Sequence, residues 1–330
     1  MDAQAIVFRK PDQPALERVA LPDPKPDELV VDIAFSGVSI GTERSIFTGE
    51  RTHNGTFPLV GGYMASGTVA WVGEQATGFM VGDRVVCMGA RLPDGLTSVW
   101  GGHSSRQIVR ASATMKVPEA CAMTEAAMFV LPGVGLNAVN MAGITMADTV
   151  LIQGQGLIGQ FCGQWCRNRG ARVITLEPDP SRRALSRRYV TQYALDPGTG
   201  NVDQMVTEIT DGKGVSVVVE ATAAKWLIGS ASRFLRRGGK MIFLSWYPDE
   251  VTLDFAHFHN NQITAYFPTG NGGMTATRAV LSALANGSIV LGDNLTHVCP
   301  YHNAEEGYRR IIEGDGSVLG MVVDWQGASA

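Results

Sequence analysis

Apolar positions along this chain fall in two rhythms. Up to about residue 120 they come in short runs at close spacing with turn residues between. That pattern predicts strands over 5–8, 28–34, 67–72 and 84–88 and a compact, mostly β region. From Thr124 the chain changes to alternating helices and strands. Thr124 and Glu125 predict an N-cap and a first-turn acid for a helix leading towards Leu131. Further strands are expected over 149–152, 172–176, 215–220, 240–245 and 262–266, with a weaker one over 193–195. Helices are expected between them, running to Arg169, over 180–188 and over 225–235, the last ended by Gly238-Gly239. Strands separated by helices of this length argue a parallel sheet with right-handed crossovers, hence an α/β fold. The tail adds a helix over 275–285, a strand over 295–298, a helix over 304–313 and a last strand over 320–324.

The turn between the first strand of the alternating part and its helix reads Gln153-Gly154-Gln155-Gly156-Leu157-Ile158-Gly159. A strand, a glycine turn and a helix in that order are the setting of a dinucleotide site. Gly154 permits the tight turn, Gly156 lets a pyrophosphate approach the backbone, and Gly159 lets helix and strand pack closely. The phosphates are expected on the helix N-terminus, against its unpaired N–H groups. The next strand ends in Glu177, where a carboxylate would hold a ribose 2′-hydroxyl and repel a 2′-phosphate. NAD(H) is therefore the expected cofactor, with Arg182 and Arg183 nearby as the groups able to fold onto a phosphate.

At 330 residues the chain is long for one core, and two domains are expected. Apolar residues make up 45% and charged ones 18%, so the composition is globular. The net charge of −4 and the short pairs Arg182-Arg183 and Arg187-Arg188 describe a solvated helix face, which implies no nucleic acid. No apolar run approaches the ~18 residues of a membrane span. The start, Met1-Asp2-Ala3-Gln4, lacks a signal pattern, so a cytoplasmic location is expected. Cysteines stand at 87, 121, 162, 166 and 299 without disulfide or metal spacing. Cys162 and Cys166 share one helix face, as packed residues do.

Gly67-x-x-x-x-Val72-Gly73 followed by Gly78-x-x-x-Gly82-Asp83-Arg84-Val85 resembles the signature of the medium-chain dehydrogenase/reductase superfamily. The resemblance continues through Leu131-Pro132-Gly133-Val134, the glycine turn, Val219-Glu220-Ala221-Thr222, Gly238-Gly239-Lys240 and Gly320-Met321-Val322-Val323. It implies a GroES-like, β-rich catalytic domain over 1–122 plus 271–330, with a Rossmann domain over 123–270 inserted in it. It also implies hydride exchange between a nicotinamide and a small-molecule substrate in the cleft, commonly in a dimer; a homodimer is expected. Ala221, Thr222, Ser245 and Trp246 fall where relatives hold the cofactor, with Trp246 and Tyr247 forming an aromatic wall.

The departures bear on mechanism. Zinc-dependent relatives place a Cys after the second strand, a His-Glu pair, and a third Cys or acid near the domain junction. Here those positions are Ser39, Tyr63-Met64 and the neighbourhood of Leu131, and 91–101 replaces the four-cysteine lobe with none. Catalytic zinc needs three N, S or O donors, so a zinc-independent member is expected. Ser36-Gly37-Val38-Ser39-x-Gly41-Thr42-Glu43 is similar to the 3-hydroxyethyl bacteriochlorophyllide dehydrogenase-like group, which favours secondary-alcohol oxidation or its reverse. Without a metal, hydroxyl groups must handle the substrate oxygen. Tyr63, Ser39 and Thr42 are the candidates, against a Tyr63 that only packs. Glu43 is a candidate to orient the alcohol or relay a proton, against an acid that merely caps or pairs with Arg44. His103 is expected at a surface or turn, and His257 and His259 in structural roles. The variable loops over 46–58 and 90–101 are expected to shape the pocket. Two other readings stay open: an NADPH-dependent quinone or enoyl reductase, and a nucleotide-binding protein without catalysis.

Overall fold

A computed structural model describes residues 1–50 and 56–326. The chain divides into two compact units. One comprises Met1–Val130, Thr277–Gly287 and the chain from Leu291 onward; the other comprises Leu131–Ala276 and Ser288–Val290. The division thus falls at Val130/Leu131 and Ala276/Thr277, against the expected 122/123 and 270/271.

The first unit holds a seven-stranded sheet and a four-stranded sheet among the described residues. Its longest strand, Glu28–Val38, outruns the expected 28–34 and is the spine of the larger sheet. It pairs antiparallel with Ala65–Val72 on one side and with Met321–Asp324 from the chain tail on the other. Ile33, Val38, Val69, Val85 and Val323 pack into one core with Phe8, Phe47 and Tyr308. A strand over Pro14–Ala20 went unread in the sequence. It pairs with Asp2–Phe8 at a sheet edge, and half-buried Glu17 beside exposed Arg18 hides the apolar alternation. The helix expected from Thr124 is two helices, Met123–Ala126 and Val130–Met141, and its N-cap is Ala122 without a side-chain bond. Thr124 lies inside the first turn instead.

The second unit is a six-stranded parallel sheet in the order Tyr193–Leu195, Arg172–Leu176, Thr149–Gln153, Val215–Glu220, Leu235–Phe243, Thr264–Tyr266. Numbered along the chain this is 3-2-1-4-5-6, the doubly wound order whose direction reverses between the first and fourth strands. Every residue of Val215–Glu220 is buried, as expected of a strand covered on both faces. One expectation fails here. The helix expected over 225–235 is a short 3₁₀ turn, Lys225–Leu227, and a helix over Ile228–Ser232. The chain is back in the sheet at Leu235, before the two glycines. Gly238, at φ +72°, lies within that strand and donates its N–H to Asn261 O, and the pairing with Val215–Glu220 shifts register there.

Candidate functional site

Where the sheet order reverses, the ends of Thr149–Gln153 and Val215–Glu220 open a cavity of about 410 Å³. It is lined by Gln153, Gly154, Gln155, Gly156, Leu176, Glu177, Pro178, Arg182, Pro197, Ala221, Thr222 and Leu227. Six of the residues assigned to the cofactor from sequence, Gly154, Gly156, Glu177, Arg182, Ala221 and Thr222, thus line the same cavity. Gly154 sits at φ +93°, and a Cβ there would lie 2.8 Å from Ala221 O, so the turn and its neighbour strand both require glycine. At Gly159 a Cβ would lie 2.1 Å from Gly154 O, the close approach of helix and strand. A Cβ at Gly156 meets nothing within 4 Å, so that backbone is open to an approaching group. The helix Leu157–Asn168 starts there with no side-chain cap, Leu157 buried and Ile158 half-buried in its first turn. Its first N–H groups remain for an anion.

Glu177 does more than face the cavity. Its Oε2 accepts the Gln155 N–H at 2.8 Å and its Oε1 the Asp179 N–H at 3.0 Å, so it also fixes the glycine turn. Arg183 donates to Glu177 O and Pro178 O and pairs with Asp196, which commits it to the protein rather than to a phosphate. Gln153 Oε1 and Gln155 Oε1, behind the cavity lining, are buried without a partner among the described residues. The residues present therefore fit a dinucleotide. On the far lip, buried Glu220 accepts the Thr222 N–H at 2.6 Å and also the Thr222 and Tyr247 hydroxyls. Ser245 Oγ takes the N–H of Ala223, a residue at φ +60°. Burial, then Glu220, pushes the Tyr247 phenol up, so it stays a donor. The Tyr247 hydroxyl thus tethers this lip, and neither Tyr247 nor Trp246 is among the residues lining this cavity.

In the first unit, Gly37 donates its N–H to Met64 O at 2.9 Å and joins the two segments that carry Ser39 and Tyr63. A Cβ at Gly37 would lie 2.4 Å from Ala127 O, so no larger residue fits. Ser39 is the N-cap of the helix Ile40–Phe47, which the sequence reading missed. Tyr63 is half-buried, its ring edge-on to Trp100 at 5.2 Å, and Thr42 is half-buried with its carbonyl taken by Ser45. Glu43 and His103 correct the sequence reading. Glu43 is 1% exposed and accepts from Ser39 N–H, His103 Nε2 and the Tyr308 hydroxyl. It does cap its helix, but its side-chain partners are His103 and Tyr308 and not Arg44. His103 is fully buried, not at a surface, and its Nδ1 meets Ser36 Oγ. Tyr308 and Trp325, also in this network, stand more than 200 positions away in sequence, and no local pattern flags them.

Among the described residues, no three His, Cys, Asp or Glu side chains come together to hold a metal ion. Buried Cys87 bonds Gln107, and burial pushes its thiol up to about 12. His257 bonds Ser232 O, and His259 stacks on Phe255. Of the variable loops, 51–55 lies outside the described residues.

Fold and cavity together define a nucleotide-binding dehydrogenase. The alcohol dehydrogenase GroES-like domain model matches residues 25–119, and the zinc-binding dehydrogenase model matches residues 158–286. The chain belongs to the medium-chain dehydrogenase/reductase superfamily. It is 29% identical to 2-desacetyl-2-hydroxyethyl bacteriochlorophyllide A dehydrogenase of Rhodobacter capsulatus, over 99% of this chain and 100% of that one. It is 24% identical to D-arabitol-phosphate dehydrogenase of Enterococcus avium, over 92% of each. An oxidoreductase of unknown specificity from Escherichia coli shares the fold with a TM-score of 0.89 at 18% identity, over 98% of this chain and 99% of that one. With these relatives, the chain falls in a family of alcohol/polyol dehydrogenase-type oxidoreductases. No helix among the described residues is long and apolar enough to cross a membrane.

Proposed function

We propose that this protein is an NAD(H)-dependent dehydrogenase that interconverts a secondary alcohol and a ketone on a bulky or sugar-like substrate, without zinc. The observation that carries the reading is Glu177, a carboxylate on the cavity wall where a ribose hydroxyl is held and a 2′-phosphate is repelled. Glycines 154, 156 and 159 and the helix N-terminus hold the pyrophosphate, and Ala221 and Thr222 close the other side. A nicotinamide bound there would supply the hydride acceptor or donor. The protein's own residues handle the proton: Tyr63 exchanges it with the substrate oxygen, and the Ser39 and Thr42 hydroxyls orient that oxygen. The relative that acts on a hydroxyethyl group and the one named for a polyol phosphate both support a secondary alcohol as substrate.

The protein works as a homodimer in this reading. Thr264–Tyr266 ends the parallel sheet, and the next residue, Phe267, is 66% exposed. An unpaired strand edge of that kind invites a second copy. The test of function is a screen of the purified protein with NAD+ or NADP+ against 2,3-butanediol, xylitol and arabitol phosphate, read as reduced-cofactor absorbance. Turnover with NAD+ supports the reading. Turnover of NADPH on quinones or conjugated enones instead would move it to the reductase alternative.

A further inference from the structure

The buried network around Glu43 has a direction. Trp325 Nε1 can only donate, and it donates to Ser36 Oγ at 2.9 Å. Ser36 is fully buried, and the acceptor found for its own proton is His103 Nδ1, at 2.9 Å. The imidazole therefore carries its proton on Nε2 and passes a hydrogen bond to Glu43 Oε2 at 2.7 Å. Tyr308 donates to the same oxygen at 2.7 Å, and burial followed by Glu43 itself pushes its phenol up, so it remains a donor. Ser39 N–H fills Oε1 at 2.9 Å. Every donor runs towards one carboxylate that solvent does not reach.

The same network touches both substrate-side segments. Glu43 holds the backbone of Ser39. His103 lies under Gly62, directly before Tyr63. A Cβ at Gly62 would lie 2.6 Å from His103 Cδ2, and Gly62 sits at φ +84°. The backbone binds there as well: Gly102 N–H to Gly62 O at 2.8 Å, and His103 N–H to Gly61 O at 3.0 Å. Tyr308 anchors the group from the helix Ala304–Glu313, its ring edge-on to Phe8 and Phe47. A buried carboxylate is costly unless fully hydrogen-bonded, and such networks specify geometry more than they add stability.

We propose that Glu43, His103 and Tyr308 form a buried clasp of positioning residues that sets Ser39 and Tyr63 against each other from behind. The inference rests on the dehydrogenase reading for the roles of Ser39 and Tyr63. The clasp joins the two positions that a zinc ion joins in metal-dependent relatives. Glu43 itself neither meets substrate nor relays its proton.

The test uses the full chain, with Glu43→Gln and Tyr308→Phe. In the native protein, ¹⁵N spectra of the imidazoles show His103 as the Nε2-protonated tautomer. Glu43→Gln leaves one acceptor oxygen for three donors, so at least one of Ser39 N–H, His103 Nε2–H and the Tyr308 hydroxyl loses its partner. In both variants the amides of Ser39, Gly102 and His103 exchange with solvent roughly 5- to 10-fold faster. Amides of the parallel sheet, such as Leu151, hold their rates. With any alcohol that the screen shows to be oxidised, kcat falls while NADH affinity holds, because the cofactor cavity is untouched. A native His103 that is not protonated on Nε2, or native exchange at Ser39 and His103 in both variants, overturns the clasp whatever the activity. Failure to oxidise any alcohol overturns the dehydrogenase reading alone, since the spectra and exchange rates are read without turnover. Should Glu43→Gln not fold, Tyr308→Phe carries the exchange and kcat measurements, for its ring packing is kept.

Discussion

Glu177 Oε2 accepts the Gln155 N–H at 2.8 Å, so the carboxylate closing one strand of the parallel sheet grips the glycine turn closing its neighbour. In the proposed reading that bond couples sugar recognition to phosphate recognition. NAD(H) is expected to bind more tightly than NADP(H) by roughly 100-fold, from a lost hydroxyl pair and charge repulsion. Fluorescence titration with both reduced cofactors measures it, and equal affinities would sink the assignment. Glu177→Ala should weaken NADH as well, because the Gln155 amide loses its partner.

Zinc content is the second test. No three metal-binding side chains converge among the described residues, so the purified protein should hold well under one equivalent of zinc. Activity should survive strong chelators. Stoichiometric zinc by elemental analysis, with activity lost on chelation and restored by the metal, would overturn the zinc-free mechanism.

Tyr63→Phe keeps the ring against Trp100 and removes only the hydroxyl. Turnover should fall by ~10²–10⁴, the usual contribution of a positioned acid or base, with a smaller change in KM. Ser39→Ala should cost only ~10-fold, one orienting hydrogen bond of about 1 kcal/mol. Near-native turnover of Tyr63→Phe across pH 6 to 10 would place proton transfer elsewhere.

The helix carrying Tyr308 is followed by a carboxylate with an acid-side signature. The Ser317 hydroxyl and N–H, then Arg310, hold Asp315 down at about 2. A carboxyl lowered on folding adds stability that is complete above its unfolded value of about 4. That stability is lost as pH falls through about 2. Asp315→Asn should therefore melt below the native protein at pH 5 to 7, with the difference closing as pH approaches 2. A gap in melting temperature that is constant from pH 7 to 2 would show that the carboxylate's charge is not involved.

The parallel sheet was legible because each strand is a short apolar run bounded by turns and helices. The cavity was legible because its glycines and Glu177 lie close together in the chain. Pro14–Ala20 was not, since a half-exposed edge strand carries charge at positions where alternation would show. The early return to the sheet at Leu235 was hidden because Arg236, Arg237 and two glycines read as a loop. His103 looked like an isolated polar residue in a glycine-rich turn. Its burial depends on Ser36, Glu43 and Gly62, whose convergence only the folded sheet produces.

The pairing of Met321–Asp324 with Glu28–Val38 has a consequence for how the protein is made. On a ribosome, the spine strand of the first unit emerges nearly 300 positions before the partner that covers its flank. Tyr308 and Trp325 arrive equally late, so Glu43 and Ser36 wait without two of their donors while the whole nucleotide-binding unit is synthesised. Most of that unit, Leu131–Ala276, is one continuous stretch of chain, whereas the other must keep an open edge and an incomplete interior until the end. Nascent chains stalled before residue 300 should therefore hold a protease-resistant second unit beside a first unit still open to chaperones.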